Sequence, residues 1–227
     1  MALRINKNVR LIPKIIGWAI IIIIVGILAK IYIWESHYYA SKTTQVRATA
    51  TPVITKLAGA VNSSTTPLSQ TDIDNYQVEA TQPRYLTIER LKIHARVQIG
   101  KVNSNTLPVP DNIFDVSWFS GSSKPGENGC ILISGLSFGQ NTQGVFYNLG
   151  SLEVGNKIGI ETGSGDKYTY EVKEVSIITS ADASKELPKM QSRLNGTETL
   201  SLVTTIDSAA SSDYSSIAMV RATKVDN

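Results

Sequence analysis

A mainly β domain, an eight-stranded closed barrel with short helices, preceded by an N-terminal transmembrane helix and a stalk, is the fold this sequence predicts. Three observations carry it. From residue 83 onward the chain falls into short runs rich in Val, Ile, Thr and Tyr, separated by Gly, Asn, Pro and Asp, the texture of strands joined by turns. An apolar run at 15–34 is bracketed by cations. Between the two, 35–82 is dense in Ser, Thr and Ala, with no sustained helical or strand period.

The N-terminal 14 residues hold Arg4, Lys7, Arg10 and Lys14 but no acid. Twenty positions follow at 15–34, which at about 1.5 Å per residue reach roughly 30 Å, the thickness of a bilayer core. Lys30 sits where its stem can snorkel to the far interface, and Trp18, Tyr32 and Trp34 suit the headgroup belts. A cleaved leader needs small residues just after the run, whereas Glu35-Ser36-His37-Tyr38-Tyr39 is bulky. The expectation is an uncleaved, single-pass anchor with a cytoplasmic N-terminus and an extracellular C-terminal domain.

Charge excludes a nucleic-acid face. Of 22 basic residues, five precede the first acid, Glu35; the other 17 meet 19 acids, a balance of −2 beyond the anchor. The single cysteine, Cys130, rules out a disulfide-held domain. Residues 35–82 read as a stalk, with a possible helical turn at 53–61. Strands are expected at 85–88, 95–102, 113–118, 130–134, 157–161, 168–178, 199–204 and 217–223, and short helices at 145–152 and 181–193. Gly163-Ser164-Gly165-Asp166 is a hairpin turn between strands. Eight strands in about 145 residues suit closure into a barrel with its own core. No His/Cys cluster has metal-ligand spacing and no glycine loop suits a phosphate, so neither metal nor cofactor is expected.

Several stretches resemble, in order, those of the sortase family, especially its class F and class E kinds. They are Arg84-Tyr85-Leu86-Thr87-Ile88; Leu107-Pro108-Val109-Pro110; Val116-Ser117-Trp118-Phe119; Lys124-Pro125-Gly126-Glu127-Asn128-Gly129; Gly144-Val145-Phe146; Val154-Gly155-Asn156-Lys157-Ile158; and Ser201-Leu202-Val203-Thr204-Thr205. The resemblance covers 83–225. It implies a thiol transpeptidase that cuts a sorting signal near the C-terminus of an exported protein and passes the acyl group to a cell-wall or pilin amine. In that chemistry a cysteine attacks, a histidine protonates the leaving amine and an arginine donates to the oxyanion.

At the positions that match those three groups this chain has Leu136 for the histidine, Thr205 for the cysteine and Ile217 for the arginine. Leucine moves no proton, isoleucine donates no hydrogen bond, and an unassisted threonine has no accessible anion near neutral pH. The resemblance therefore implies a pseudoenzyme in which Leu136, Thr204, Thr205 and Ile217 line a peptide groove. Its expected partners are an extended peptide, an exported surface protein or an active sortase. The alternative is a divergent transpeptidase or hydrolase using Thr205 or another hydroxyl with a base not recognised in the sequence; Asp207 is near Thr205 in sequence but reads as a solvated loop carboxylate. Cys130 reads as core packing, His94 as a surface residue in the turn between the first two strands, and Lys185, Lys189 and Arg193 as a solvated helix face. Arg221 lies four residues, about 13 Å of strand, beyond Ile217.

Overall fold

The computed structural model describes residues 30, 56–57, 63–100, 105–139, 142–205 and 216–225. The chain divides into two units, 1–50 and 51–227. Apart from Lys30, the expected membrane span lies outside the described residues, among which no helix is long and apolar enough to cross a membrane. His37 and Asp207 also lie outside them.

In chain order the strands are β1 (Lys56–Leu57), β2 (Pro83–Ile88), β3 (Ile93–Gly100), β4 (Thr106–Leu107), β5 (Val116–Phe119), β6 (Cys130–Leu136), β7 (Phe138–Gly139), β8 (Thr142–Gln143), β9 (Lys157–Thr162), β10 (Lys167–Thr179), β11 (Thr199–Thr205) and β12 (Ser216–Val225). Eight of them close a barrel in the order β10-β12-β11-β6-β5-β3-β2-β9. The period of two along each strand decides which side chains fill it. Ile131 and Ile133 of β6, Leu200 and Leu202 of β11, and Val220 and Ala222 of β12 point inward with Leu86, Ile88, Phe146 and Tyr170. The intervening residues Leu132, Val203, Ile217 and Met219 face outward, yet they too are buried, beneath Leu107, Ala183, Leu187 and Met190. Both faces of this part of the sheet are covered, which is why β6 reads as a continuous apolar run.

The eight expected strands are all present, with ends shifted by a few residues. The third begins at Val116 rather than 113 because the Asn112 side chain accepts the Phe114 N–H and turns the chain there. His94 lies inside β3, opposite Thr87, and not in a turn. Of the expected helices, 145–152 contains only the 3-10 turn Leu149–Ser151. The 181–193 segment is a broken helix, Ala183–Glu186 followed by the 3-10 turn Leu187–Gln191, where Pro188 withholds an N–H from the α-helical ladder. The turn Gly163–Asp166 joins β9 to β10, with Gly165 at φ +89°.

Of the residues expected as a stalk, 63–82 lie against the barrel, and 56–57 form a strand. The Ser63 hydroxyl donates to Pro110 O, Asn112 Nδ2 donates to Thr66 O, and the Tyr76 hydroxyl donates to Val97 O. A short helix, Gln70–Asp74, starts in a capping box made by Ser69 and Asp72. Arg96 spans Asp115 with two hydrogen bonds, of 3.0 and 2.7 Å, to a carboxylate with no solvent exposure. The Arg96 guanidinium also lies 5.2 Å from the Tyr76 ring centroid. These bonds run from polar side chains to scattered backbone groups, so they leave no hydrophobic period in the sequence.

At the far end of the barrel the Pro125-Gly126 turn is fixed by Glu198, whose carboxylate accepts the Gly126 N–H at 2.8 Å and the Tyr170 hydroxyl at 2.6 Å. Gly126 has φ +87°, a conformation that favours glycine. Burial and the Glu198 carboxylate push the Tyr170 phenol above its ordinary value.

Candidate functional site

The site is assembled by three adjacent strands. β6 and β11 run parallel, and their ladder sets Leu136 directly beside Thr205 at the ends of both strands. β12 pairs antiparallel with β11, Val203 opposite Met219. Thr205 lies two residues beyond Val203 at the end of β11, and Ile217 two residues before Met219 near the start of β12. Leu136 lies an even number of residues from Leu132 and Ile217 from Met219, so both belong to the outward-facing set. The described geometry thus gathers Leu136, Thr205 and Ile217 at one end of one sheet face.

That end is apolar. Leu136 and Ile217 have no solvent exposure. The backbone carbonyl of Leu136 accepts the Phe146 N–H at 2.9 Å. The neighbouring Gly144 is required by close approach, because a Cβ there would lie 2.3 Å from the Leu136 carbonyl oxygen. Gly135 meets Phe146 in the same way, at 2.6 Å. These contacts explain why Ser134-Gly135-Leu136 and Gly144-Val145-Phe146 occur together: the second turn folds over the end of the first strand.

Thr204 departs from expectation. Expected in the groove, it shares the inward parity of Leu200 and Leu202, and its hydroxyl accepts the Ala218 N–H at 2.9 Å. Its role is to tie β11 to β12 behind the site. The outward sheet face is covered in this structure: Leu107, Leu132, Leu187, Met190, Val203, Ile217 and Met219 are at most 3% exposed. Sequence reasoning missed the residues that cover it. Ala183, Leu187 and Met190 recur at the four-and-three spacing of a helix face, and this was the available signal. Lys185, Lys189 and Arg193 are exposed on the opposite side.

The remaining candidate nucleophile lies elsewhere. Cys130 opens β6, about 20 Å of strand from Leu136, and is 6% exposed. Its Sγ donates to Met190 O at 2.9 Å and lies 3.4 Å from Ser201 Oγ. Burial pushes the thiol up from its ordinary value, against the smaller opposing effects of Ser201 and Arg221. Cys130 borders a cleft of about 480 Å³ lined also by Ser122, Ser123, Pro188 and Arg193. Arg221 is paired with Ser201 in the β11–β12 ladder, donates to Ser192 O at 2.7 Å and meets Glu174 at 3.3 Å. It serves this lower end and is remote from Leu136. His94 is exposed, shares a 3.1 Å hydrogen bond with Thr87 and stacks on Tyr85 at 5.0 Å.

A sortase-domain family model matches residues 86–225, more than half of the chain and the whole of the closed barrel except the first three residues of its opening strand. Among solved structures, sortase A from Corynebacterium diphtheriae is similar with a TM-score of 0.53 at 19% identity, covering 85% of this chain and 84% of that chain. A Clostridium perfringens sortase D5 transpeptidase is similar at 21% identity and a TM-score of 0.47, covering 70% and 90%. Sortase C1 of GBS Pilus Island 1 is similar at 18% identity and a TM-score of 0.47, covering 67% and 68%. No curated protein matches. With the barrel order established and the family model spanning it, the chain belongs to the sortase family.

Proposed function

We propose that this is a sortase-family pseudoenzyme of the class F or class E kind, in which Leu136, Thr205 and Ile217 occupy the positions of the catalytic histidine, cysteine and arginine. The carrying observation is the ladder contact of Leu136 with Thr205 at the end of β6 and β11, with Ile217 entering from β12 on the same face. A site built this way keeps the strand framework and holds no group at Leu136 or Ile217 able to move a proton or stabilise an oxyanion. Its function is binding: the face beneath Ala183, Leu187 and Met190 recognises an extended peptide or exported protein, or seats an active sortase. The apolar run at 15–34 anchors the chain in the cell membrane, with the barrel on the extracellular side.

The test is incubation of the full-length protein with a panel of sorting-signal peptides, followed for both binding and cleavage. Binding without cleavage is expected, unchanged by Thr205→Ala. Cleavage abolished by Thr205→Ala overturns the pseudoenzyme reading. The triple change Leu136→His, Thr205→Cys, Ile217→Arg is expected to create slow cleavage. A folded triple variant that cleaves nothing shows that these three positions do not occupy a competent sortase site.

A further inference from the structure

Two Asn-Gly pairs occur in the chain, Asn128-Gly129 and Asn195-Gly196, and the fold brings them to one place. A single guanidinium joins them: Arg193 Nη1 donates to Asn128 Oδ1 and to Gly196 O, each at 2.7 Å. Both asparagines are exposed, yet they differ in the atoms that govern amide chemistry. An asparagine followed by glycine loses its side-chain amide when the next backbone nitrogen attacks Cγ, because glycine puts no side chain in the way. The reaction needs that nitrogen free and the side chain able to turn onto it. At Asn128 neither condition holds. The Gly129 N–H donates to Glu127 O at 2.7 Å, Gly129 O accepts the Thr199 N–H at 2.9 Å, and Arg193 pins the side chain. Ser123 Oγ also lies over Gly129 and leaves no room for a Cβ there. At Asn195 both conditions hold. This pair forms the tip of a turn, with φ +50° at Asn195 and +76° at Gly196, both positive as in a type I′ turn. The Thr197 N–H and hydroxyl close it by donating to Leu194 O at 2.9 and 2.8 Å. Those bonds leave the Asn195 side chain and the Gly196 N–H without a partner among the described residues.

We infer that Asn195 is a site of spontaneous, water-driven modification, and that Arg193 together with the Gly129 hydrogen bonds spares Asn128. The Gly196 nitrogen gives up its proton and bonds to Asn195 Cγ. The Cγ–Nδ2 bond breaks, and the side-chain nitrogen takes up a proton and leaves as ammonia, so a five-membered imide remains. Water then adds to one of the two imide carbonyls. Opening at Cγ gives aspartate; opening at the backbone carbonyl gives isoaspartate, in which the chain runs through the side-chain carbon. One amide and one water become one carboxylate and one ammonium ion, with nothing oxidised or reduced. The new carboxylate arises in the turn whose Gly196 carbonyl Arg193 already reaches. Arg193 is the only charged residue lining the cleft of about 480 Å³ beside Cys130, so conversion pairs that charge within the turn and draws it away from the cleft. Isoaspartate adds a carbon to the turn backbone and loosens the Thr197 bonds to Leu194 O. The turn lies at the Cys130 end of the barrel, so its chemistry is independent of any ligand at Leu136.

The test is incubation of the full-length protein in mildly alkaline buffer, followed by peptide mapping with mass spectrometry and fragmentation that separates aspartate from isoaspartate. Position 195 is expected to gain about 1 Da, in both forms. It should do so at least about tenfold faster than position 128, where the bonded groups must first open locally. The guanidinium-unfolded chain is the reference, and there the two positions should convert at comparable rates. A native position 195 that stays unconverted while the unfolded chain converts overturns the inference, as do equal rates at 195 and 128 in the native protein. Asn195→Gln keeps an amide but needs a less favourable six-membered ring, and is expected to show no conversion at 195; conversion at an undiminished rate overturns the imide route. Arg193→Ala is expected to raise the rate at 128 by at least about threefold, since one restraint on opening is gone. A rate at 128 that does not move in that variant overturns the protective role of Arg193.

Discussion

At one end of the sheet face built by β6, β11 and β12 stand Leu136, Thr205 and Ile217; toward the other stand Ser201 and Arg221, about 13 Å along their strands, and Cys130, about 20 Å along its own. The first end holds the residues that the resemblance sets at catalytic positions, and none of them is a histidine, cysteine or arginine. The second end has a thiol and a guanidinium, and lacks both the histidine and the exposure. There the thiol donates to Met190 O and burial holds it protonated, while the guanidinium is spent on Ser192 and Glu174. The contrast teaches that a nucleophile is made by its surroundings: a cysteine in the right strand at the wrong end is packing.

The largest effect that tests this contrast is the reactivity of Cys130. Alkylation by iodoacetamide at pH 8 should run at least about a hundredfold slower in the native protein than in the guanidinium-unfolded chain, because it must await local opening. Comparable rates would make the lower end chemically competent and erase the distinction. Next comes Leu136→His alone, which places an imidazole where there is no exposure. A loss of about 2–4 kcal/mol at pH 8 is expected from chemical denaturation. Burial lowers the pKa of an imidazole, so the unfolded chain binds the proton first, and the loss should deepen as pH falls below about 6.5. A stability unchanged between pH 8 and pH 5 would show that this end opens to solvent.

Arg221→Met should cost less, about 1–2 kcal/mol in the denaturation midpoint, since it removes the bond to Ser192 O and a partly exposed ion pair. Its Nε has no acceptor, which reduces the loss. A cost near zero would detach Arg221 from the lower end. The smallest effect is a control. Neither trio holds a carboxylate, so acid sensitivity must arise elsewhere, and Glu171 is one source. Hydrogen bonds and charge from Lys157 and Lys173 hold its pKa at about 2. A depressed carboxyl pKa stabilises the fold above the unfolded value of about 4.3 and loses that contribution as pH falls toward 2. Glu171→Gln should flatten this part of the pH profile, by an amount that shrinks in high salt because the group is accessible to solvent.

The barrel was legible because its signal is local. Alternation in 199–204 and 217–223 and the turn at Gly163–Asp166 each report one element, and eight such elements need a closed sheet. Order and spacing single out Leu136, Thr205 and Ile217, and the parallel register of β6 with β11 pairs the first two. Thr204 was misread because a motif says which residues are neighbours in sequence, while parity in the sheet says which face each one takes. The docked 63–82 segment was hidden for another reason: its attachments are bonds such as Asn112 Nδ2 to Thr66 O, which need a three-dimensional partner and impose no hydrophobic pattern.

By itself, then, the sequence determined a β-barrel of the sortase type after an apolar segment, and it determined that Leu136, Thr205 and Ile217 carry no imidazole, thiol or guanidinium. Those are properties of pattern and of side-chain chemistry, present before any folding. Only the tertiary structure decided that Leu136 and Ile217 are buried and that the Cys130 thiol is packed against Met190 O. Each of these depends on which distant segment lies on top of the residue. Burial and pKa are set by that covering, and a linear chain does not contain it.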